Sequence, residues 1–258
     1  MKIVVDEVKL ARNAKIARGL VLGVVVVAVG MMILVLLASM SPNAALVANL
    51  NPATLLVIEL VVIVVLFVVS RIGFLFANRY LAFNRPEKVL RDSLKGLEKT
   101  NALLLFQKPV DYLLIEPGGV TIFIPRTQEQ KVTYRDGKWS YNRGFLRAWM
   151  GRDETIGDPT ADATEAIKKV QTLITAKAPD VKVTVRAVIM FTHPKVELDV
   201  QPGPVTVLKA EDVKDFLRGG GRLSPLPRPV LRKVRAALGM AESEDGTSTN
   251  GLNLTTNG

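Results

Sequence analysis

An α+β domain behind a pair of membrane-spanning helices is the fold class this sequence predicts. Three observations carry that prediction. Two long apolar runs fill the first third of the chain, the charged residues are segregated from them, and from Pro86 onward strand and helix periodicities are mixed. Segregation is what lets 48% hydrophobic and 22% charged residues coexist in 258 positions.

The first run, Gly19–Met40, carries no charge. As a helix it reaches roughly 33 Å, enough for a bilayer core of about 30 Å. The second, Ala53–Ala77, is interrupted by Glu59 and Arg71, and it spans if Arg71 snorkels to the interface. A cleaved signal peptide would have a shorter apolar region and then a soluble chain, whereas here a second run follows closely. Two transmembrane helices are therefore expected, at about 19–40 and 53–77.

Charge sets the expected orientation. Lys2, Lys9, Arg12, Lys15 and Arg18 precede the first span, and Arg71, Arg79, Arg85, Lys88, Arg91, Lys95 and Lys99 end or follow the second. The connecting loop, Ser41–Pro52, is uncharged. Positive flanks stay inside, so both termini and the soluble domain are expected in the cytoplasm at the inner membrane. The Gly19/Gly23 spacing allows close helix approach, within the hairpin or between copies of the chain. Glu59, a lone carboxylate near one end of its span, suits an interfacial or dimer-contact role better than a transport path.

The expected organisation is then a basic N-terminus (1–18), the hairpin (19–78), a cytoplasmic domain (80–218), a Gly/Pro linker with a short basic helix (219–238) and a disordered tail (239–258). Pro86 opens a helix with the stripe Val89, Leu90, Ser93, Leu94, Leu97. Strand-like runs follow at Ala102–Phe106, Tyr112–Ile115, Val120–Ile124, Lys131–Tyr134 and Lys138–Tyr141, with turns at Pro117-Gly118-Gly119 and Asp136-Gly137. Asp158-Pro159 opens a second helix to about Ala176, with Ala163, Ala166, Ile167, Val170 and Ile174 on one face. Val183–Phe191 reads as a buried strand, Val205–Leu208 as a shorter one, and Glu211–Leu217 as a short helix. The basic helix Val230–Leu238 suits either anionic lipid or packing on the domain.

Composition excludes much chemistry. There is no cysteine and a single histidine, His193, in Phe191-Thr-His-Pro-Lys195, where it reads as a turn residue. Disulfides, thiolate catalysis, Fe–S clusters and imidazole-rich zinc sites are out. Any metal would be held by carboxylates, which suits magnesium or manganese.

The order of elements, with Glu87-Lys-Val-Leu-Arg-Asp-Ser-Leu94, Val110-Asp111-Tyr-Leu-Leu-Ile, Gly119-Val-Thr-Ile-Phe-Ile-Pro-Arg126, Trp139 after a glycine turn and Asp158-Pro159, resembles the nuclease-related domain family (NERD) over roughly Glu87 to Leu217. The resemblance implies a PD-(D/E)XK-type α/β sandwich and, behind a hairpin, a bacterial inner-membrane arrangement. It also implies a metal site built from a helix glutamate, a strand aspartate and an E-x-K pair. Glu87 and Asp111 match the first two. Ile124-Pro125-Arg126 stands where Glu-x-Lys is expected, and neither isoleucine nor a permanently charged guanidinium replaces the missing groups. Glu129-Gln-Lys131 is the less favoured candidate for a shifted pair, since it sits past the strand, at the start of the next one. Pro125 lacks an amide donor, which places this strand end at an edge. Each retained carboxylate also has a bland reading: Glu87 complements a helix dipole, and Asp111 ends a turn.

The expectation is a catalytically inactive domain that binds or docks, needing no cofactor, with an active nuclease using Mg or Mn as the alternative. Arg126, Lys131, Arg143, Arg147, Trp149 and Arg152 form a basic stretch interleaved with aromatics, suited to nucleic acid or anionic lipid headgroups. Partners expected are the bilayer, a nucleic acid or a protein.

Overall fold

A computed structural model describes residues 1–40, 51–80, 85–142 and 155–240. The expected external loop, the tail beyond residue 240, and Arg143, Arg147, Trp149 and Arg152 lie outside these residues.

The chain opens with a strand, β1 (Lys2–Val5), then the apolar helix α1 (Glu7–Met40) and a second helix, α2 (Pro52–Tyr80), which lies against α1. Among the described residues one helical stretch, Glu7–Ile33, is long and apolar enough to cross a membrane, and Leu60–Ile72 is a shorter apolar stretch. Leu22, Val26 and Met32 on α1, and Leu56, Leu60 and Ile63 on α2, stand exposed.

Residues 1–18, expected as a basic tail, belong to the domain. β1 runs parallel to β2 (Ala102–Leu105), with Lys2 opposite Ala102 and Val5 opposite Leu105. Leu10, Ala14 and Ala17 then recur on one face of α1 and pack on the domain, with Ala17 fully buried. The basic residues between them mask this stripe in the sequence, and β1 is too short to show alternation.

The domain continues with α3 (Pro86–Ser93), β3 (Tyr112–Glu116), β4 (Gly119–Arg126), β5 (Lys131–Arg135), β6 (Lys138–Tyr141), α4 (Pro159–Lys177), β7 (Thr184–Phe191), β8 (Glu197–Val200), β9 (Thr206–Lys209), α5 (Val213–Arg218) and α6 (Arg228–Ala237). Six strands form one mixed sheet in the order β1-β2-β3-β4-β7-β9, and β6-β5-β8 form a second, smaller one. Alternation divides the large sheet into two cores. Leu113, Ile122 and Ile189 face Ala163, Ala166 and Val170 of α4. Leu103, Leu114 and Met190 face Leu90 and Leu94 of α3, Ala17 of α1 and Val213 of α5. Covered on both sides, β7 is buried along most of its length, hence its nearly continuous apolar sequence.

Local signals explain the junctions. The Asp158 side chain accepts from the amides of Thr160 and Ala161 and caps α4, with Pro159 in the first turn. Asp136 and Gly137 turn β5 into β6 with φ of 50° and 75°, as a type I′ hairpin requires. In the β3–β4 hairpin a Cβ on Gly118 would stand 2.5 Å from the Leu223 carbonyl oxygen, so only glycine fits. That approach, and the Leu226 amide donating to the Pro117 carbonyl at 2.9 Å, fixes the segment expected to be a linker. Helix α6 packs on the domain through Val234 and Leu238. Lys233 pairs with Asp180, and Arg235 donates to the Thr100 carbonyl.

The strand end carrying Pro125 is at an edge as expected, although β4 as a whole runs inside the sheet. Its pairing with β3 ends at Ile122, while its pairing with β7 continues to Arg126, so only the end carrying Pro125 is open on one side. Proline is tolerated there because that end lacks a second neighbour.

Candidate binding cleft

Where β3 and β4 part, a cleft opens. Its volume is about 340 Å³, and its walls include Pro86, Pro109, Asp111, Ile124, Pro125, Arg126, Thr127, Asp162 and Lys169. The register explains the gathering. Asp111 precedes β3 in phase with Leu113, and Ile124 and Arg126 continue the face of β4 that carries Ile122. That face looks toward α4, where Asp162 and Lys169, seven residues apart, lie on one side of the helix. Asp111, Ile124 and Arg126 thus share a cavity.

The electrostatics are those of paired charges. The Lys9 ammonium, from the first turn of α1, lies 2.8 Å from Asp111 Oδ1. Arg126 Nη2 donates to Asp162 Oδ2, and Arg126 Nη1 to the Pro125 carbonyl at 3.4 Å. Arg126 Nε is buried and makes no hydrogen bond among the described residues. Lys169 Nζ lies 2.6 Å from Glu165 Oε1, one turn away on α4.

Glu87 does not join them. It sits in the first turn of α3, next to Pro86 of the cleft wall, but it is buried and pairs with Arg85 Nε at 2.9 Å. Burial pushes its carboxyl above the ordinary glutamate range, against the helix-end hydrogen bond and the charges of Arg85 and Arg91. Among the described residues no three acidic, histidine or cysteine side chains are grouped to hold a metal ion. The residues therefore do not fit a divalent cation: Asp111 faces an ammonium, Ile124 has no ligand atom, and Glu87 lies outside the cleft wall.

The other predicted residues are elsewhere. Lys131, at 3.1 Å, and Arg135, at 2.9 Å, share Asp199 on the small sheet, and the Lys131 hydrogen bond with the Arg135 charge holds the Asp199 carboxyl low. Lys131 is not in the wall of the cleft that Arg126 lines. Trp139, which carries part of the resemblance, packs into the fold: its indole N–H donates to Thr160 Oγ1 at 2.8 Å, and its ring packs 4.7 Å from Tyr134 and 6.3 Å from Phe191. His193 accepts from the Lys195 amide at 3.3 Å and lies 3.6 Å from Glu129, in a turn as expected. Glu129-Gln-Lys131 stays outside the cleft wall.

No family model, no curated protein and no solved structure matches this chain. The cleft is read from its own geometry.

Three of its residues were not singled out in the sequence. Asp162 and Lys169 flank the apolar stripe of α4, and helical phase alone would have placed them beside it. Lys9 gives no such signal, because only the folded chain brings it to Asp111.

Proposed function

We propose that this chain is a membrane-anchored protein whose nuclease-like domain binds a ligand and does not cleave one. The observation that carries the reading is the cleft itself. Asp111, Ile124 and Arg126 share it, and its one aspartate from the sheet is neutralised by Lys9. In this reading α1 and α2 form a two-helix anchor, with both termini in the cytoplasm at a bacterial inner membrane. The pairing of β1 with β2 supports it, since residues before α1 and after α2 then lie on one side. A cleaved signal would also remove an edge strand of the sheet.

Cleavage is tested on the full chain in detergent, with plasmid, Mg²⁺ or Mn²⁺, and an EDTA control. Equal background cutting by the wild type and Asp111→Asn is expected. Metal-dependent cutting lost in Asp111→Asn would overturn the binding reading. Because the chain lacks cysteine, topology is tested with single substitutions. Ser41→Cys should react with an impermeant maleimide in intact cells, and Ser224→Cys only after permeabilisation. The reverse pattern, or a mature chain lacking residues 1–40, refutes the anchor.

A further inference from the structure

We propose that the cleft holds a phosphoryl group, presented by a lipid headgroup or a small soluble phosphate ester, on the guanidinium edge of Arg126. The inference rests on the binding reading above and names its ligand.

Arg126 Nε and Nη2 form one edge of a guanidinium, two parallel donors that match two oxygens of a tetrahedral oxyanion. Here Nη2 is taken by Asp162 Oδ2 while the buried Nε donates to no acceptor among the described residues. Half of a bidentate site is filled. A buried N–H without an acceptor is costly, and an oxyanion bridging Nε and Nη2 removes that cost.

Asp162 is a weak competitor for the position. Its side chain is 54% exposed, against 19% for Arg126, so the carboxylate can swing into solvent while the guanidinium stays. An ion pair with one partner in solvent contributes little, and its loss is a small obstacle. Asp111, the other carboxylate, is screened by Lys9 at 2.8 Å and need not repel the ligand. Lys169, from the same face of α4, supplies a second cation, its present partner being an exposed residue of its own helix.

Position favours a ligand near the bilayer. Lys9, which touches Asp111, is nine residues from Arg18, the last charge before the apolar run, or about 14 Å along α1. The headgroup layer is roughly 5–7 Å deep on each side of the hydrocarbon. The cleft therefore opens within one small molecule's length of that layer.

The test uses the full chain in a maltoside detergent, which carries no phosphate. Glycerol phosphate is titrated as the soluble ester and short-chain phosphatidylglycerol as the headgroup, both by calorimetry. The wild type is expected to bind one equivalent of at least one probe, and which of them binds identifies the source. Arg126→Lys keeps the charge but loses the two-donor edge, and should weaken binding about tenfold. Asp162→Asn removes the resident competitor and should tighten it several-fold. A purely structural Arg126–Asp162 pair would not produce that tightening. Thermal unfolding without ligand checks that both variants fold.

Binding of neither probe to the wild type overturns the proposal, as does wild-type affinity in Arg126→Lys or unchanged affinity in Asp162→Asn. These failures leave the non-cleaving reading standing. Metal-dependent plasmid cutting would instead remove that reading itself.

Discussion

Lys9 and Asp111, far apart in sequence, form an ion pair of 2.8 Å that ties the first turn of the apolar helix α1 to the wall of the cleft. Asp6 caps this turn by accepting from the Lys9 amide at 2.8 Å, so the lysine is held at its backbone as well as at its tip. Both side chains are partly buried, and a pair of this kind is worth about 1 kcal/mol. Lys9→Met and Asp111→Asn should each lower the unfolding free energy of the full chain. The double variant should lose less than the sum, by about 1 kcal/mol. Additive losses in denaturant titrations of all four proteins would show that the two residues are not coupled.

A second buried cation holds the opposite end of the sheet. Arg186 donates to both oxygens of Glu116, at 3.0 and 3.3 Å, to Thr121 Oγ1 at 2.7 Å and to the Gly221 carbonyl, and its guanidinium lies 4.9 Å from the Phe216 ring centre. Removing Arg186 alone leaves the buried Glu116 carboxylate without its cation, so Arg186→Met should cost about 3–5 kcal/mol. The pair Arg186→Met with Glu116→Leu should recover most of that loss. Thermal and chemical unfolding of the two variants gives the comparison, and a double variant no better than the single one contradicts the account.

Much of the domain was legible because its signals are local. Asp158-Pro159 caps and starts α4, Asp136-Gly137 and Pro117-Gly118-Gly119 make hairpins, and the apolar run of β7 follows from burial on both faces. The cleft was legible in part. Alternation on β3 and β4 puts Asp111, Ile124 and Arg126 together, and that phase can be counted from sequence. What could not be counted were contacts made by distant segments. β1 is four residues long, and its partner strand begins at Ala102.

The edge strand gives a prediction about how the domain can be produced. A fragment of residues 85–240 lacks β1 and the Leu10, Ala14 and Ala17 face of α1. It leaves Leu103 and Leu105 beside an unpaired strand edge and uncovers Leu90 and Leu94, conditions that favour edge-to-edge association. This fragment should aggregate. The same fragment joined through a flexible linker to residues 1–17 should remain monomeric by light scattering after size exclusion. If the shorter fragment is equally soluble and equally stable, β1 is not an integral part of the sheet.

Glu87 should make stability fall as pH rises. Its carboxyl is buried, and neither oxygen accepts a well-aligned hydrogen bond among the described residues, although Arg85 Nε lies 2.9 Å from Oε1. Its pKa in the fold is raised, chiefly by burial, so the native state binds the proton more tightly than the unfolded chain. Linkage then fixes the sign. Between the ordinary glutamate value and the raised one, the native state carries more protons, and unfolding free energy declines with each step up in pH before levelling off above the raised value. Glu87→Gln keeps the shape without the titration. It should flatten this part of the pH–stability curve and make the protein more stable than wild type at neutral pH, with little difference in acid. A curve for Glu87→Gln that parallels the wild type through this window would show that Arg85 already compensates the buried charge.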